Sequence, residues 1–150
     1  MSFEVRATTE IDAPIDVVWN VLTDLSCYGE WSSLLRYEGG ELAVGAHLRL
    51  RLVLPEGGGY AFSPEVLVLD APTHFAWVGR TGIKGVFDGE HHFRLRALEG
   101  ARTVLENLER YSGILSPIMQ RMPQMKSADA GFEAMNQDLR RRAESLARQP

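Results

Sequence analysis

The chain has 150 residues, a formal net charge of −4 and an apolar fraction of 45%. This length suits one domain with one hydrophobic core, so we expect a single domain over residues 1–150. The acidic balance predicts no nucleic-acid partner and gives no reason to expect an anionic membrane surface.

Cysteine content and hydropathy narrow the class of protein further. Cys27 is the only cysteine, which excludes a disulfide framework and a cysteine-rich metal site. No apolar run approaches the ~20 residues that a membrane span needs, so we expect no stable membrane insertion. The amino terminus has no apolar segment typical of a secretory signal. These features predict a cytoplasmic protein.

The first third of the chain predicts one strand and two helices. Phe3 to Ile11 alternates apolar and polar residues, which is typical of a half-buried strand. Helical spacing of apolar residues then predicts a helix from Ile15 to about Thr23, and Asp24 to Trp31 is predicted as a second short helix or turn.

Four predicted strands follow: Tyr37–Leu42, His47–Leu54, Tyr60–Leu69 and Phe75–Gly79. Pairing Leu42 with His47 around a turn at residues 43–46 places Glu38 opposite Arg51, a favourable cross-strand pair. Continuing this pairing predicts that Tyr60 and Phe62 point inward. Pro64 cannot donate a hydrogen bond to a ladder, so it indicates a sheet edge or a bulge.

The last predicted hairpin joins Val86–Ala97 to Arg102–Ser112. Centring its turn on Gly100 places Arg94 opposite Glu106 and Glu90 opposite Arg110, two pairs of opposite charge. A shift by one residue would lose both pairs and turn every side chain to the other face. On the inner face this register predicts four further pairs: Leu95 with Leu105, Phe93 with Asn107, His91 with Glu109, and Gly89 with Tyr111.

The carboxyl-terminal stretch, Ile118 to Leu146, predicts a long amphipathic helix. Its apolar stripe consists of Ile118, Met122, Met125, Ala128, Phe132, Met135, Leu139, Ala143 and Leu146. We expect Asp138 on the solvent-exposed face. Pro123 predicts either a kink or a short helix before a main helix that begins near it.

This order of elements resembles the helix-grip fold of the START-like (SRPBCC) superfamily, which includes polyketide cyclase/dehydrase and lipid-transport proteins. The local marks of the resemblance are residues 13–19 with Asp24 and Trp31, residues 89–93, the stretch from Thr103 through Glu109 to Gly113, and residues 131–136. The resemblance covers essentially the whole chain. It implies an α+β fold in which a strongly curved antiparallel sheet of about seven strands wraps round the long helix, with a cavity between them.

The residues agree with such a cavity, because its expected wall is apolar with a few polar groups. The candidate ligand-binding residues are Trp31, Leu52, Tyr60, Phe62, Trp77, Phe87, Phe93, Leu105, Asn107, Met122, Phe132 and Met135. His91 and Glu109 are the only titratable pair on the inner face, with Tyr111 beside them, and these three are the candidate catalytic residues. We expect no metal site and no cofactor, since no two histidines share one face of an element at ligand spacing.

Three functions remain open from the sequence. The first is binding or transport of a small hydrophobic ligand such as a lipid, a fatty acid or an aromatic polyketide-like molecule, by a monomer or homodimer. The second is a metal-independent cyclase or aromatase in which His91 and Glu109 act as acid and base. The third is a membrane- or complex-associated accessory protein, similar to the carbon-monoxide-dehydrogenase accessory members of the superfamily.

Overall fold

Among the residues that the structure describes, an antiparallel wall of eight strands and a carboxyl-terminal helix, described over 20 residues, form most of the fold. The structure, a computed structural model, describes residues 2–54, 56–126 and 128–150. The strands are β1 (Ser2–Ile11), β2 (Leu35–Gly39), β3 (Arg49–Val53), β4 (Gly59–Phe62), β5 (Glu65–Asp70), β6 (His74–Arg80), β7 (Asp88–Leu98) and β8 (Arg102–Ser112). The helices are α1 (Ile15–Thr23), α2 (Tyr28–Trp31), α3 (Ser116–Met119), α4 (Pro123–Lys126) and α5 (Ala128–Ala147).

The strands form two sheets that continue into one another. The larger has the order β1-β8-β7-β6-β5 and the smaller the order β2-β3-β4. The connection is made by backbone hydrogen bonds before β3, from the Gly45 amide to the Val66 carbonyl (2.8 Å) and from the Leu48 amide to the Pro64 carbonyl (2.9 Å). Helix α5 packs against β1 and α1. The expected α+β fold, a curved antiparallel sheet with a long helix across it, is confirmed.

The register of the β7–β8 hairpin is the predicted one at every position from Asp88 to Leu98. Arg94 and Glu106 form the expected ion pair, with 3.1 Å between Nη1 and Oε1. Glu90 lies opposite Arg110 as predicted, but the Arg110 guanidinium turns to Glu4 on β1 at 2.9 Å. The charges therefore specify the register even where the ion pair forms with another strand.

Two details of the middle strands differ from the prediction. The expected strand Tyr60–Leu69 is broken around Pro64 into β4 and β5, which gives eight strands instead of seven. In the first hairpin, Tyr37 lies opposite Leu50, a shift of two residues from the predicted register, although Arg51 still pairs with Glu38 at 3.2 Å. The shift follows from the chain before β3, which bonds to residues 64–66 and so leaves the hairpin.

The carboxyl-terminal stretch has a short helix before Pro123, as one of the two predicted alternatives has it. Helix α3 ends at Met119 and α4 begins at Pro123, while residue 127, between α4 and α5, lies outside the described residues. Ile118, expected in the buried stripe, is 60% exposed on α3. Asp138, expected on the exposed face, is buried because its carboxylate accepts hydrogen bonds from the Ser33 amide (2.9 Å) and hydroxyl (2.6 Å).

The interior contains two apolar clusters. The larger lies between α1, α5 and the middle of the sheet, and includes Phe75, Phe93, Leu105 and Met135. The smaller lies at the end of β7 and β8 that is far from their turn; its buried members are Val5, Phe87 and Tyr111. Within the described ranges, no helix has both the length and the apolar character that crossing a bilayer requires.

Candidate functional site

The β7–β8 hairpin places a group of polar side chains on its inner face. Alternate residues of a strand share a face, and the register sets His91 beside Glu109 and Phe93 beside Asn107. His91 Nδ1 lies 3.7 Å from Glu109 Oε2, and the Tyr111 hydroxyl donates a hydrogen bond of 3.0 Å to the same oxygen. The structure thus brings together the three residues that the sequence nominates for catalysis.

A chain of hydrogen bonds from the protein interior fixes the state of His91. The Asn136 side-chain amide donates to the Ala7 carbonyl (3.1 Å) and to the Thr9 hydroxyl (3.1 Å), so its own oxygen is the acceptor for the Asn107 amide (3.0 Å). The Asn107 oxygen then faces His91 Nε2 at 2.5 Å. Because that oxygen can only accept, Nε2 carries the proton and Nδ1 of the neutral ring is a bare acceptor.

Burial shifts the pKa values of His91 and Glu109 in opposite directions, and in both cases it favours the uncharged form. Desolvation lowers the pKa of His91 to about 4, against a partial offset from its hydrogen bond to Asn107. Desolvation also raises the pKa of Glu109 to about 7, although the Tyr111 hydrogen bond lowers it. At neutral pH the imidazole is therefore uncharged, and the Glu109 carboxyl is protonated to a greater extent than an exposed glutamate.

Aromatic rings enclose the imidazole of His91. Phe93 stacks on it with 4.3 Å between ring centroids, while Trp77 and Phe132 each lie at 5.1 Å. Phe87 stacks on Tyr111 at 5.4 Å. The polar group therefore lies against an aromatic surface, which suits a ligand that is mostly apolar.

The predicted wall residues occupy several different environments. Phe93, Leu105, Met135 and Trp77 are buried in the larger cluster. Trp31, Leu52 and Phe62 are partly buried at its border, Phe132 and Phe87 belong to the smaller cluster, and Met122 is partly buried between α3 and α4. Tyr60 is 58% exposed, but it is near enough for the Glu109 charge to contribute to raising its pKa, after desolvation.

The interior is filled at one end of the hairpin and less completely covered at the other. Phe93, Leu105 and Met135 pack in one cluster, each at most 2% exposed, so the space expected between sheet and helix is occupied there. Toward Tyr111, the side chain of Glu109 keeps 17% of its surface exposed and Phe132 is only partly buried. The polar group is therefore less completely covered toward Tyr111 than the apolar residues near the Gly100 turn are.

Sequence reasoning missed Asn136 and Thr9, the two residues that anchor the hydrogen-bond chain. Asn136 is fully buried on α5 and Thr9 is 6% exposed on β1. A signal for Asn136 was present, because it lies four residues after Phe132 and three before Leu139, within the apolar stripe. The indole of Trp31 is a buried polar group of another kind, because its Nε1 has no hydrogen-bond partner among the described residues.

Comparison with known proteins gives both a family and structural neighbours. The sequence profile of the family described as polyketide cyclase / dehydrase and lipid transport matches residues 2–149. No curated protein matches the chain.

Three solved structures illustrate the shared fold. A protein of unknown function from Staphylococcus aureus is 12% identical with a TM-score of 0.76, over 99% of this chain and 98% of that one. A Thermus thermophilus protein is 20% identical with a TM-score of 0.69, over 97% and 99% of the two chains. The di-domain ARO/CYC StfQ from the steffimycin biosynthetic pathway is 13% identical with a TM-score of 0.72, over 98% of this chain and 51% of its own.

Proposed function

The chain belongs to the polyketide cyclase/dehydrase and lipid-transport family, and from that premise we propose that it binds a small, mostly apolar molecule beside His91, Glu109 and Tyr111. The ligand carries at least one hydroxyl or carbonyl group, which the polar side chains recognise. Its apolar part lies against the aromatic rings around His91. We expect the bound form to be a carrier complex in which the ligand is not transformed.

The observation that carries this proposal is the unused acceptor on His91. Among the described residues none donates a hydrogen bond to Nδ1, and the nearest oxygen of Glu109 is 3.7 Å away. His91 is 6% exposed, and Nδ1 is not among the fully buried atoms that lack a partner, so this nitrogen can be reached by water or by a bound ligand. A ligand hydroxyl would satisfy Nδ1, and a ligand carbonyl would accept the proton of the Glu109 carboxyl.

A substitution at Gly89 tests the location of the ligand. A Cβ atom at Gly89 would lie 2.6 Å from Glu109 Oε1 and 3.3 Å from Tyr111 Cε1, so Gly89→Ala must displace the carboxyl group. We expect native mass spectrometry of the non-denatured protein to show a co-purifying apolar molecule, with occupancy at least about fivefold lower in Gly89→Ala, since a displaced hydrogen bond costs about 1–2 kcal/mol.

Gly79→Ala is the matched control. Gly79 is the cross-strand partner of Gly89, and a Cβ atom there would meet nothing within 4 Å, so its occupancy should equal that of the unmodified chain. A protein that carries no small molecule, or a Gly89→Ala variant that retains it fully, would contradict the proposal. Binding can be followed in addition by tryptophan fluorescence, because Trp77 lies 5.1 Å from His91.

The second candidate function is that of a cyclase or dehydratase without a metal. It is favoured by one observation: a Glu109 carboxyl with a pKa of about 7 is matched to proton transfer at neutral pH. In that case the carboxyl would protonate a carbonyl oxygen or remove a proton beside it, while Nδ1 of His91 would accept a hydroxyl proton.

Glu109→Gln separates the two functions. A carrier should keep its affinity for the ligand within a few-fold, because glutamine still offers a donor and an acceptor. An acid–base enzyme should lose at least ~100-fold of its turnover, since glutamine cannot transfer the proton. Product formation from a co-purified ligand or a polyketide-like substrate, followed by mass spectrometry, measures the difference. Glu99→Gln, an exposed carboxyl in the β7–β8 turn, is the control.

A further inference from the structure

Exposed apolar side chains are concentrated in two segments of the molecule, a loop before β7 and the stretch after β8 that includes α3. Six large apolar side chains are exposed among the described residues, and four of them lie in residues 81–87 and 113–119. We call these four the isoleucine patch: Ile83, Ile114, Leu115 and Ile118. Ile83 and Ile114 have 75% and 77% of their surface exposed. Clustered apolar exposure of this kind is typical of an interaction surface.

Backbone hydrogen bonds hold the two segments side by side. The Ile114 amide donates to the Gly85 carbonyl and the Leu115 amide to the Val86 carbonyl, both at 3.0 Å. Gly113 permits this approach, because its φ is +112° and a Cβ atom there would lie 2.5 Å from the Val86 carbonyl oxygen. The two segments that carry the patch are therefore neighbours in the fold, although they are distant in sequence.

The charge of the two segments is opposite to that of the rest of the chain. Residues 81–87, and the second segment extended to residue 126, contain Lys84, Arg121 and Lys126 and no acidic residue. The nearest carboxylate in sequence is that of Asp88, which accepts a hydrogen bond from the Gly85 amide (3.1 Å). All three cations are exposed, and none forms an ion pair with a described residue. Most other arginines of the described chain are paired, as Arg94 is with Glu106. Lys84 lies next to Ile83, and Arg121 and Lys126 follow Ile118 in the chain, so these segments offer three unpaired cations to an anionic partner.

We propose that the isoleucine patch docks this protein onto the surface of an anionic lipid bilayer. Branched apolar side chains suit the boundary between head groups and acyl chains, and nearby lysines and arginines are attracted to lipid phosphates. Self-association through the patch is disfavoured, because a two-fold interface would bring the same three unpaired cations of both copies together. Local charge, and not the net charge of −4, governs attraction at these short distances.

The isoleucine patch lies next to the candidate site, but its proposed docking does not depend on a ligand bound there. Phe87 and Tyr111, in the smaller cluster, adjoin the two segments in sequence, and Tyr111 hydrogen-bonds to Glu109. Docking would bring the less completely covered end of the hairpin toward the membrane. The surface itself is formed by side chains outside the candidate site, so it can be tested even if the proposed ligand binding fails.

Vesicle sedimentation tests the lipid partner. We expect the full chain to sediment with vesicles of phosphatidylcholine and phosphatidylglycerol at low salt. Binding should fall at least tenfold with phosphatidylcholine alone or at about 0.5 M salt, because each basic residue near an anionic surface strengthens binding roughly fivefold. Failure to sediment with the anionic vesicles would overturn the proposal.

Paired variants test the patch. Ile114→Asp combined with Ile118→Asp should reduce vesicle binding at least tenfold, whereas Val44→Asp, at an exposed apolar residue elsewhere, should bind like the unmodified chain. Lys84→Gln should weaken binding several-fold and Arg96→Gln, an exposed unpaired arginine of β7, should not. Equal loss in the control variants would overturn the proposal. So would a concentration-dependent dimer in sedimentation velocity that Ile114→Asp dissociates.

Discussion

Replacing Asn136 with alanine is expected to lower the free energy of unfolding by about 4 kcal/mol. The side chain is fully buried and makes three hydrogen bonds, to the Ala7 carbonyl, the Thr9 hydroxyl and the Asn107 amide. Its removal leaves these partners without a bond in a dry interior, at about 1–1.5 kcal/mol each, and adds a small cavity. Equilibrium denaturation in urea measures the loss.

Two further measurements make this expectation specific. Gln137→Ala, at the next residue of α5, should change stability by less than about 0.5 kcal/mol, because Gln137 only bonds to Glu133 on the exposed side of the helix. Nitrogen chemical shifts of His91 should show a protonated Nε2 and a bare Nδ1 in the unmodified chain. The Asn136→Ala variant should show a mixture of tautomers, because Asn107 is then free to rotate. An unchanged stability or a single tautomer in the variant would contradict the hydrogen-bond chain.

Replacing Glu109 with glutamine is expected to change how stability depends on pH. The folded state raises the pKa of Glu109 from 4.5 to about 7, so the folded protein binds more protons than the unfolded chain between these values. Ionisation of Glu109 therefore destabilises the folded state as pH rises. The effect is absent below about pH 4.5 and complete above about pH 7, where it reaches about 3 kcal/mol. The gain in stability of Glu109→Gln over the unmodified chain should therefore grow by about 3 kcal/mol from pH 4 to pH 8.

The buried His91 changes the pH dependence of stability in the opposite direction from Glu109. Burial lowers its pKa from 6.5 to about 4, so the unfolded chain binds more protons in this range, and the stability that the neutral ring contributes is lost as pH falls from 6.5 to 4. In the unmodified protein the two effects largely cancel between pH 4.5 and 6.5. Glu109→Gln removes one of them, so its stability should fall by about 3 kcal/mol on acidification through this range.

Urea denaturation at several pH values measures how the stability of Glu109→Gln and of the unmodified chain depends on pH. Glu99→Gln is the control, because its carboxyl is exposed in the turn of the β7–β8 hairpin. Parallel pH profiles for Glu109→Gln and the unmodified chain would show that the carboxyl is not desolvated in the folded state. That result would remove the physical basis of the proposed acid–base role as well.

The parts of the fold that local patterns specify could be predicted from the sequence. Opposite charges such as Arg94 and Glu106 determined the register of β7 and β8, and this register placed His91 beside Glu109. The helix-grip arrangement followed from the order of the elements and the resemblance to the family. The family profile and the structural neighbours agree with it.

The features that escaped prediction depend on contacts between distant residues. Asp138 is buried because of Ser33, which lies 105 residues earlier in the chain. The register of the first hairpin depends on residues 64–66, which bind the segment before β3. Pattern analysis of one strand or one helix contains no information about such partners. The filled core around Met135 likewise depends on how closely α5 approaches the sheet.

The division of the β7–β8 hairpin into a filled half and a looser half bears on how this protein can change during evolution. Substitutions near Phe93 and Leu105 disturb dense packing and are expected to be removed by selection for folding. Phe132 of α5 and Tyr60 of β4, which lie near the looser half, are less buried, so substitutions there are expected to disturb fewer contacts. New ligand preferences can therefore arise around the looser half of the β7–β8 hairpin, while the filled half of the same two strands preserves the fold.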